Sequence, residues 1–278
     1  MPLNRKQTLT VVVVPLGIFV LGWLAFVVFG QLGLLLPPVL IGVFLAYLIV
    51  ELRHYQMGLF IRQLDESRAQ FAQTEAISSL IWTLGPSAPL PATRGWAASP
   101  DLLRELVNQV LLQPPDLVLE ASSGVSTLVL AYALEKNGRG HVFALEHDPE
   151  YATRTRNMIK MHGLEGRATV IHAPLIAHTV AGVSASWYDL RDLPKELVID
   201  LLVVDGPPDT TQPLARYPAV PLLFELFGKD VRVILDDGAR NDERRTAERW
   251  AVEHNAVGKT YWPLEKGAWL LRFSGPAR

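Results

Sequence analysis

The 278-residue sequence contains no cysteine. Disulfides, thiolate metal sites and a cysteine nucleophile are thereby excluded. Excess charge is missing too: 26 Lys and Arg stand against 28 Asp and Glu, a formal net charge of −2. A chain so balanced offers no basic field for general nucleic-acid binding, and no nucleic-acid partner is expected. No internal repeat is visible.

A third absence is local. No charged residue stands between Gln7 and Val50. A bilayer-spanning helix needs about 20 apolar residues, so the run is long enough for a pair. Gly30-Gln31-Leu32-Gly33 is the natural turn, which predicts a transmembrane hairpin with spans near Thr10–Phe29 and Leu34–Val50. Pro37 and Pro38 suit the first turn of the second span, where missing N–H groups cost little. A helix starting only at Pro38 would be short, and the pair would then be a re-entrant hairpin. A cleaved signal peptide would carry an apolar core of about 7–15 residues before a small-residue cleavage site. Here the core is longer and no such site follows. Arg5 and Lys6 precede the first span, Arg53, Arg62 and Arg68 follow the second, and the turn has no Lys or Arg. Basic flanks stay cytoplasmic. The expectation is a chain in the cytoplasmic membrane, the lipid bilayer its partner, with the rest of the molecule on the cytoplasmic side.

The segment Glu51 to about Leu84 has no Pro and one Gly and reads as a helix. Phe60, Leu64, Phe71, Ile77, Leu80 and Ile81 give it a patchy apolar face. It is expected to be a stalk packed on the next domain. A homodimer through this helix is the alternative, although the heptad is poor. Gly85 to Asp101 is rich in Pro and small residues and reads as a linker that closes with a helix start at Ser99-Pro100-Asp101. The division expected is therefore a membrane hairpin over 1–50, stalk and linker over 51–100, and a soluble domain over 101–278.

In that domain apolar strands alternate with helices. The strands are expected at Asp116–Glu120, His141–Glu146, Ala168–His172, Asp200–Asp205 and Val231–Asp236. The helices fall near Val125–Lys136, Pro149–His162, Leu214–Phe227 and Asp242–Asn255. Alternation of this kind predicts an α/β fold, a mostly parallel sheet covered on both faces. The last segment differs: "KTYWPLEKGAWLLRF" reads as a hairpin around Glu265-Lys266-Gly267.

Ligands of open α/β sheets bind outside the carboxyl ends of the strands. Glu120, Glu146, Asp205, Asp236 and Asp237 all fall there. A pyrophosphate would avoid so acidic a rim, and the loop after the first strand, "EASSGVST", has one glycine where a dinucleotide fingerprint has three. A ligand with a positive centre and a ribose would suit it. Glu146 can accept both ribose hydroxyls. Asp148 serves better as the cap of the helix at Pro149, which leaves Glu146 free.

"VLEASSGVSTLVLA", "VFALEHDPEYA", "LLVVDGPP" and "VILDDGA", in this order, resemble class I S-adenosylmethionine-dependent methyltransferases. More narrowly, the chain is similar to a bacterial family whose first motif reads E-x-G-S-G-x-S-T. The resemblance spans about Trp96 to Phe273 and implies a doubly wound, Rossmann-like, seven-stranded sheet. It implies S-adenosylmethionine as cofactor, contacted by Glu120, Ser122, Ser123, Gly124, Ser126, Thr127, Glu146, His147, Ala173 and Asp205. Ser122 departs from the family, which has glycine there; serine resists positive φ.

Asp205, Asp236 and Asp237 form a second constellation. Carboxylates converging without a counter-charge would repel, which points to a hard cation such as Mg²⁺. The trio resembles the metal site of catechol-type and macrolide-sugar O-methyltransferases, where the metal helps the acceptor hydroxyl to ionise. That resemblance gives Asp205 and Asp236 a catalytic role. The alternative is that these acids only cap helices and end strands. The catechol family's lysine base is replaced here by Pro208. "DGPP" is also unlike the N/D-P-P-aromatic motif of amino-methylating enzymes, because Gly206 displaces the prolines and Asp209 the aromatic. Arg216 and Tyr217 either face the acceptor or pack a helix start, and His172 and His178 are candidate bases. The sequence thus points to transfer of a methyl group to a hydroxyl of a small-molecule, glycan or lipid-linked acceptor. The alternatives are an amino-group methyltransferase and a non-catalytic cofactor-binding module that anchors a partner at the membrane.

Overall fold

The computed structural model describes residues 9–276 and divides into two compact units, the first ending at Arg68 and the second beginning at Ala69. Arg5 and Lys6, used above for orientation, lie outside the described residues.

In the first unit a π-helical turn, Leu9–Val13, leads into α1 (Val14–Phe29). A 3₁₀ segment, Gly30–Leu35, follows, and then α2 (Leu36–Leu84), which ends in the second unit. The turn thus falls where the glycines predicted it. The stalk is a continuation of the second apolar helix and has no start of its own at Glu51. Glycine is needed at the contact of the two helices: a Cβ on Gly22 would lie 2.5 Å from Pro37 Cγ, and one on Gly33 would lie 2.2 Å from the Ala25 carbonyl oxygen. The apolar side chains of α1 point outward nearly all round, from Leu16 to Phe29. By length and composition the segment can cross a membrane, with a mean hydropathy of 2.4.

The second unit holds a seven-stranded sheet. Its strands are β1 (Leu117–Ala121), β2 (His141–Glu146), β3 (Ala168–His172), β6 (Ile199–Val204), β7 (Phe227–Leu235), β8 (Gly258–Trp262) and β9 (Ala268–Phe273). They lie in the order β3-β2-β1-β6-β7-β9-β8. Only β9 runs against its neighbours. Between the strands stand α3 (Pro100–Leu112), which enters the sheet, α4 (Val125–Asn137), α5 (Pro149–Met161), α6 (Ala219–Leu223) and α7 (Asn241–Glu253). Buried side chains form two apolar layers, one on each face. Helix α4 is buried from Val125 to Leu134, which accounts for its unbroken apolar sequence. At the end of α2, Gln73, Ala76 and Leu80 are buried. Gln73 Oε1 accepts from Asp101 N at 3.0 Å, fastening those turns to the start of α3.

Two expectations need correction. The helix expected over Leu214–Phe227 shrinks to α6 and a 3₁₀ turn, Phe224–Leu226: Pro218, a turn inside the expected span, has no N–H to continue a helix from Leu214 and stands instead as the N-cap of α6. A separate hairpin was not expected at all: β4 (Leu175–Val180) pairs with β5 (Val183–Tyr188) across the two-residue turn Ala181-Gly182. Both turn residues have positive φ, 49° and 78°, as a type I′ turn demands.

Candidate functional site

Strand β1 delivers the first loop. Ser122 N donates to the Leu145 carbonyl at 3.0 Å, and its φ is 121°. Serine therefore stands in a glycine-type conformation, a strain on the order of 1–3 kcal/mol. The next turns are tied to two acids. Thr127 Oγ1 accepts from Gly124 N at 3.0 Å and donates to Glu120 Oε2 at 2.6 Å. Ser123 Oγ donates to Glu146 Oε2 at 2.9 Å and meets Thr155 Oγ1 at 3.0 Å. Glu120 is fully buried, and its Oε1 has no partner. Burial pushes its pKa up to about 8, against hydrogen bonds from Ser126 and Thr127 and with help from Asp205 and Glu146.

Strand β2 ends at Glu146, whose Oε1 accepts from Asp148 N at 3.0 Å. Asp148 caps α5 as expected, accepting from Glu150 N and Tyr151 N at 2.8 and 3.1 Å. His147 Nδ1 lies 3.1 Å from Glu146 Oε1. The pair is close enough for ionic attraction but is not aligned as a hydrogen bond. Chiefly through Glu146, the His147 pKa is raised. Ala173 N donates to the Glu146 carbonyl at 2.7 Å, and the residue is buried.

Asp205, Asp236 and Asp237 do converge past β6 and β7, with carboxylate oxygens within 4.8 Å of one another. The premise that no counter-charge joins them is corrected. Arg216 Nη2 lies 2.7 Å from Asp237 Oδ2 and 3.2 Å from Asp205 Oδ1, and its Nη1 donates to the Asp236 carbonyl at 2.9 Å. Arg240 Nη1 reaches Asp237 Oδ2 at 3.1 Å. Asp236 is buried; desolvation, with Asp205 and Asp237 nearby, raises its pKa well above the carboxylate range. Its Oδ1 accepts from Asp237 N at 2.6 Å, while Oδ2 has no partner. Asp205 and Asp237 are already paired with guanidinium groups and Asp236 Oδ1 with a backbone N–H, so the donor set as it stands does not fit Mg²⁺, which wants near-octahedral oxygen ligands.

A cleft of about 270 Å³ opens at the carboxyl ends of β1, β2 and β6, close to the lower end of small-molecule sites, about 300 Å³. Of the residues expected at the site, Ser122, Ser123, Glu146, His147, Asp205 and Asp237 line it. Glu120, Gly124, Ser126, Thr127, Ala173 and Asp236 do not line it. His172 and His178 are not on it either, and the His178 ring meets the Tyr188 carbonyl at 2.9 Å. Of the Arg216-Tyr217 pair, Arg216 lines the cleft, whereas Tyr217 packs under Arg249. Sequence reasoning missed Trp96, Tyr188, Arg240 and Lys266, which also line it. Trp96 is 90% exposed, yet its turn is held fast. Arg94 Nε donates to both Glu265 carboxylate oxygens at 3.0 Å, and Lys266 Nζ donates to the Ala97 carbonyl at 3.0 Å. A lone Trp in a linker of small residues was the available signal; Tyr188 belongs to the unexpected hairpin and gave none.

Residues 121–237 match the family model described as a methyltransferase domain. Among similar solved structures is an O-methyltransferase from Bacillus cereus in complex with SAH. It is 19% identical, with a TM-score of 0.51, over 75% of this chain and 97% of that one. A SAM-dependent O-methyltransferase from Thermotoga maritima is 15% identical, with a TM-score of 0.47, over 66% and 69%. No curated protein matches the sequence. The site fits the cofactor of such a domain. Each Glu146 oxygen keeps acceptor capacity beyond its one hydrogen bond, and the acidic rim suits a sulfonium. Residues 121–237 are thus similar to a methyltransferase domain, and they lie within a seven-stranded sheet of order β3-β2-β1-β6-β7-β9-β8.

Proposed function

We propose that this chain is a membrane-tethered methyltransferase acting on a hydroxyl of a small-molecule or lipid-linked, glycan-type acceptor, with its catalytic domain on the cytoplasmic side of the membrane. The observation that carries the reading is that Glu146 and Asp205 open into one cleft. When bound, S-adenosylmethionine supplies an electrophilic methyl group on a sulfonium. The chain has to hold the cofactor, align the acceptor and take its proton. Glu146, oriented by Ser123 and Asp148 N, is the ribose acceptor. Asp205, 19% exposed and held by Arg216, is the carboxylate that meets the acceptor hydroxyl. Asp236 has no access to the cleft and acts from behind, through Asp237 N. Hydroxyl transfer draws support from the Bacillus cereus protein, which is described as an O-methyltransferase. The sharp turn at Asp205-Gly206, where Gly206 N donates to the Ala121 carbonyl at 2.7 Å, speaks against an amino-methylating motif. The membrane tether rests on the apolar hairpin.

Replacing Glu146 tests the reading. Glu146→Gln removes the charge while keeping the shape. Hydrogen bonds to charged groups contribute roughly 1.5–3 kcal/mol. Calorimetry should therefore find cofactor affinity about ten- to a hundredfold weaker, with the fold intact by circular dichroism. Unchanged affinity would mean that the ribose is held elsewhere. Turnover of labelled cofactor with a membrane extract then separates an enzyme from a binding module.

A further inference from the structure

The oxygen atoms of Asp205, Asp236 and Asp237 are spaced as a divalent cation could bridge them. The chain already supplies a cation at that point. Arg216 is 5% exposed and touches Asp205, Asp237 and the Asp236 carbonyl at once. It is also fixed in place from both sides along the backbone. Leu214 N donates to Asp242 Oδ2 at 3.0 Å, and the Tyr217 carbonyl accepts from Trp250 Nε1 at 2.8 Å. Behind it Glu243 lies 3.8 Å from Nε. A divalent ion reaching the three aspartates would have to share their oxygens with a buried guanidinium of like charge, or expel it. One oxygen of each carboxylate is already engaged: Asp205 Oδ1 and Asp237 Oδ2 by Arg216, and Asp236 Oδ1 by Asp237 N, so an ion would compete for half of the oxygens that the trio offers.

We infer that Arg216 is the resident cation of this site: a positioning residue that holds Asp205 toward the cleft and excludes a divalent metal from the three aspartates. The Asp205 part rests on the function proposed above; the exclusion of metal does not. Guanidinium suits the task, since its planar donors engage several oxygens in fixed directions, as an ammonium would not.

The test uses Mn²⁺ as the probe and the full chain in detergent. The electron paramagnetic resonance signal of free Mn²⁺ reports binding directly, and calorimetry with S-adenosylmethionine is run on the same samples. Wild-type protein should leave the Mn²⁺ signal undiminished up to about 1 mM, the weak end of protein divalent sites. Arg216→Gln, which removes the charge, should gain Mn²⁺ binding, and Asp205→Asn in that background should abolish the gain. A purely structural arginine would give no such gain. Wild-type binding that Asp237→Asn removes would overturn the inference, and so would a folded Arg216→Gln protein that gains nothing. If Arg216→Gln does not fold, the wild-type titration decides alone. Failure of cofactor binding in the wild type would instead count against the proposed function and leave the metal result standing.

Discussion

At Ser122 the backbone takes φ 121°, which glycine adopts freely and serine does not. This conflict was legible beforehand, because a serine stood at a glycine position. Where Glu120 points was not. A strand end read one residue early leaves open whether its acid faces the cleft or the core, and the structure buries it under Thr127. The folded pKa of Glu120 is raised from 4.5 to about 8 by that burial. Folded protein then keeps a proton that unfolded protein releases above pH 4.5. Stability from this group is full below 4.5 and is lost as pH rises through about 8. Melting temperature measured across that window should fall less steeply in Glu120→Gln than in the wild type. Equal slopes would assign the dependence to other groups, of which Asp236 has the same sign. Arg216 was also only half legible. It meets the aspartates across long stretches of chain, and nothing local in "ARYP" reveals that reach.

Elements with strong periodicity or unbroken apolar runs were readable: the central strands, α4, α5, α7 and the terminal hairpin all stand near their expected bounds. Weak patterns were not. In β4 and β5 the sequences LIAHTV and VSASWY mix small, polar and half-exposed residues, so alternation barely registers. The turn is Ala-Gly, without the Asn-Gly signal. The mismatch predicts an improvement. Ala181 has φ 49° and is exposed, and Asn tolerates that conformation better than alanine. Ala181→Asn should stabilise the hairpin by about 0.5–1 kcal/mol, raising the melting temperature by about 1–3 °C. Ala181→Val should lower it. A thermal shift in the opposite order would mean that the turn adopts another geometry in solution.

At the scale of the molecule, a first unit with an apolar surface precedes a second unit that holds the sheet. Proposed insertion of the first unit as a hairpin puts both chain termini on one side. Reporter fusions at either end should give the same cytoplasmic signal, and a periplasmic reading at the carboxyl terminus would overturn the proposed orientation. Another consequence concerns time. One wall of the cleft is a clasp between the segment before α3 and the turn between β8 and β9, made by Arg94 with Glu265 and Lys266 with Ala97. Asp101 adds to it, accepting from Glu265 N at 2.7 Å. Strand β8 cannot even join the sheet until β9 exists, since β9 lies between it and β7. Ribosomes add about 5–20 residues per second, so the two halves of the clasp are born on the order of ten to thirty seconds apart. From the synthesis of Glu146 until that of Glu265 and Lys266, the nascent chain carries one side of the cleft without its opposite wall, and no unfinished copy can close it around a ligand.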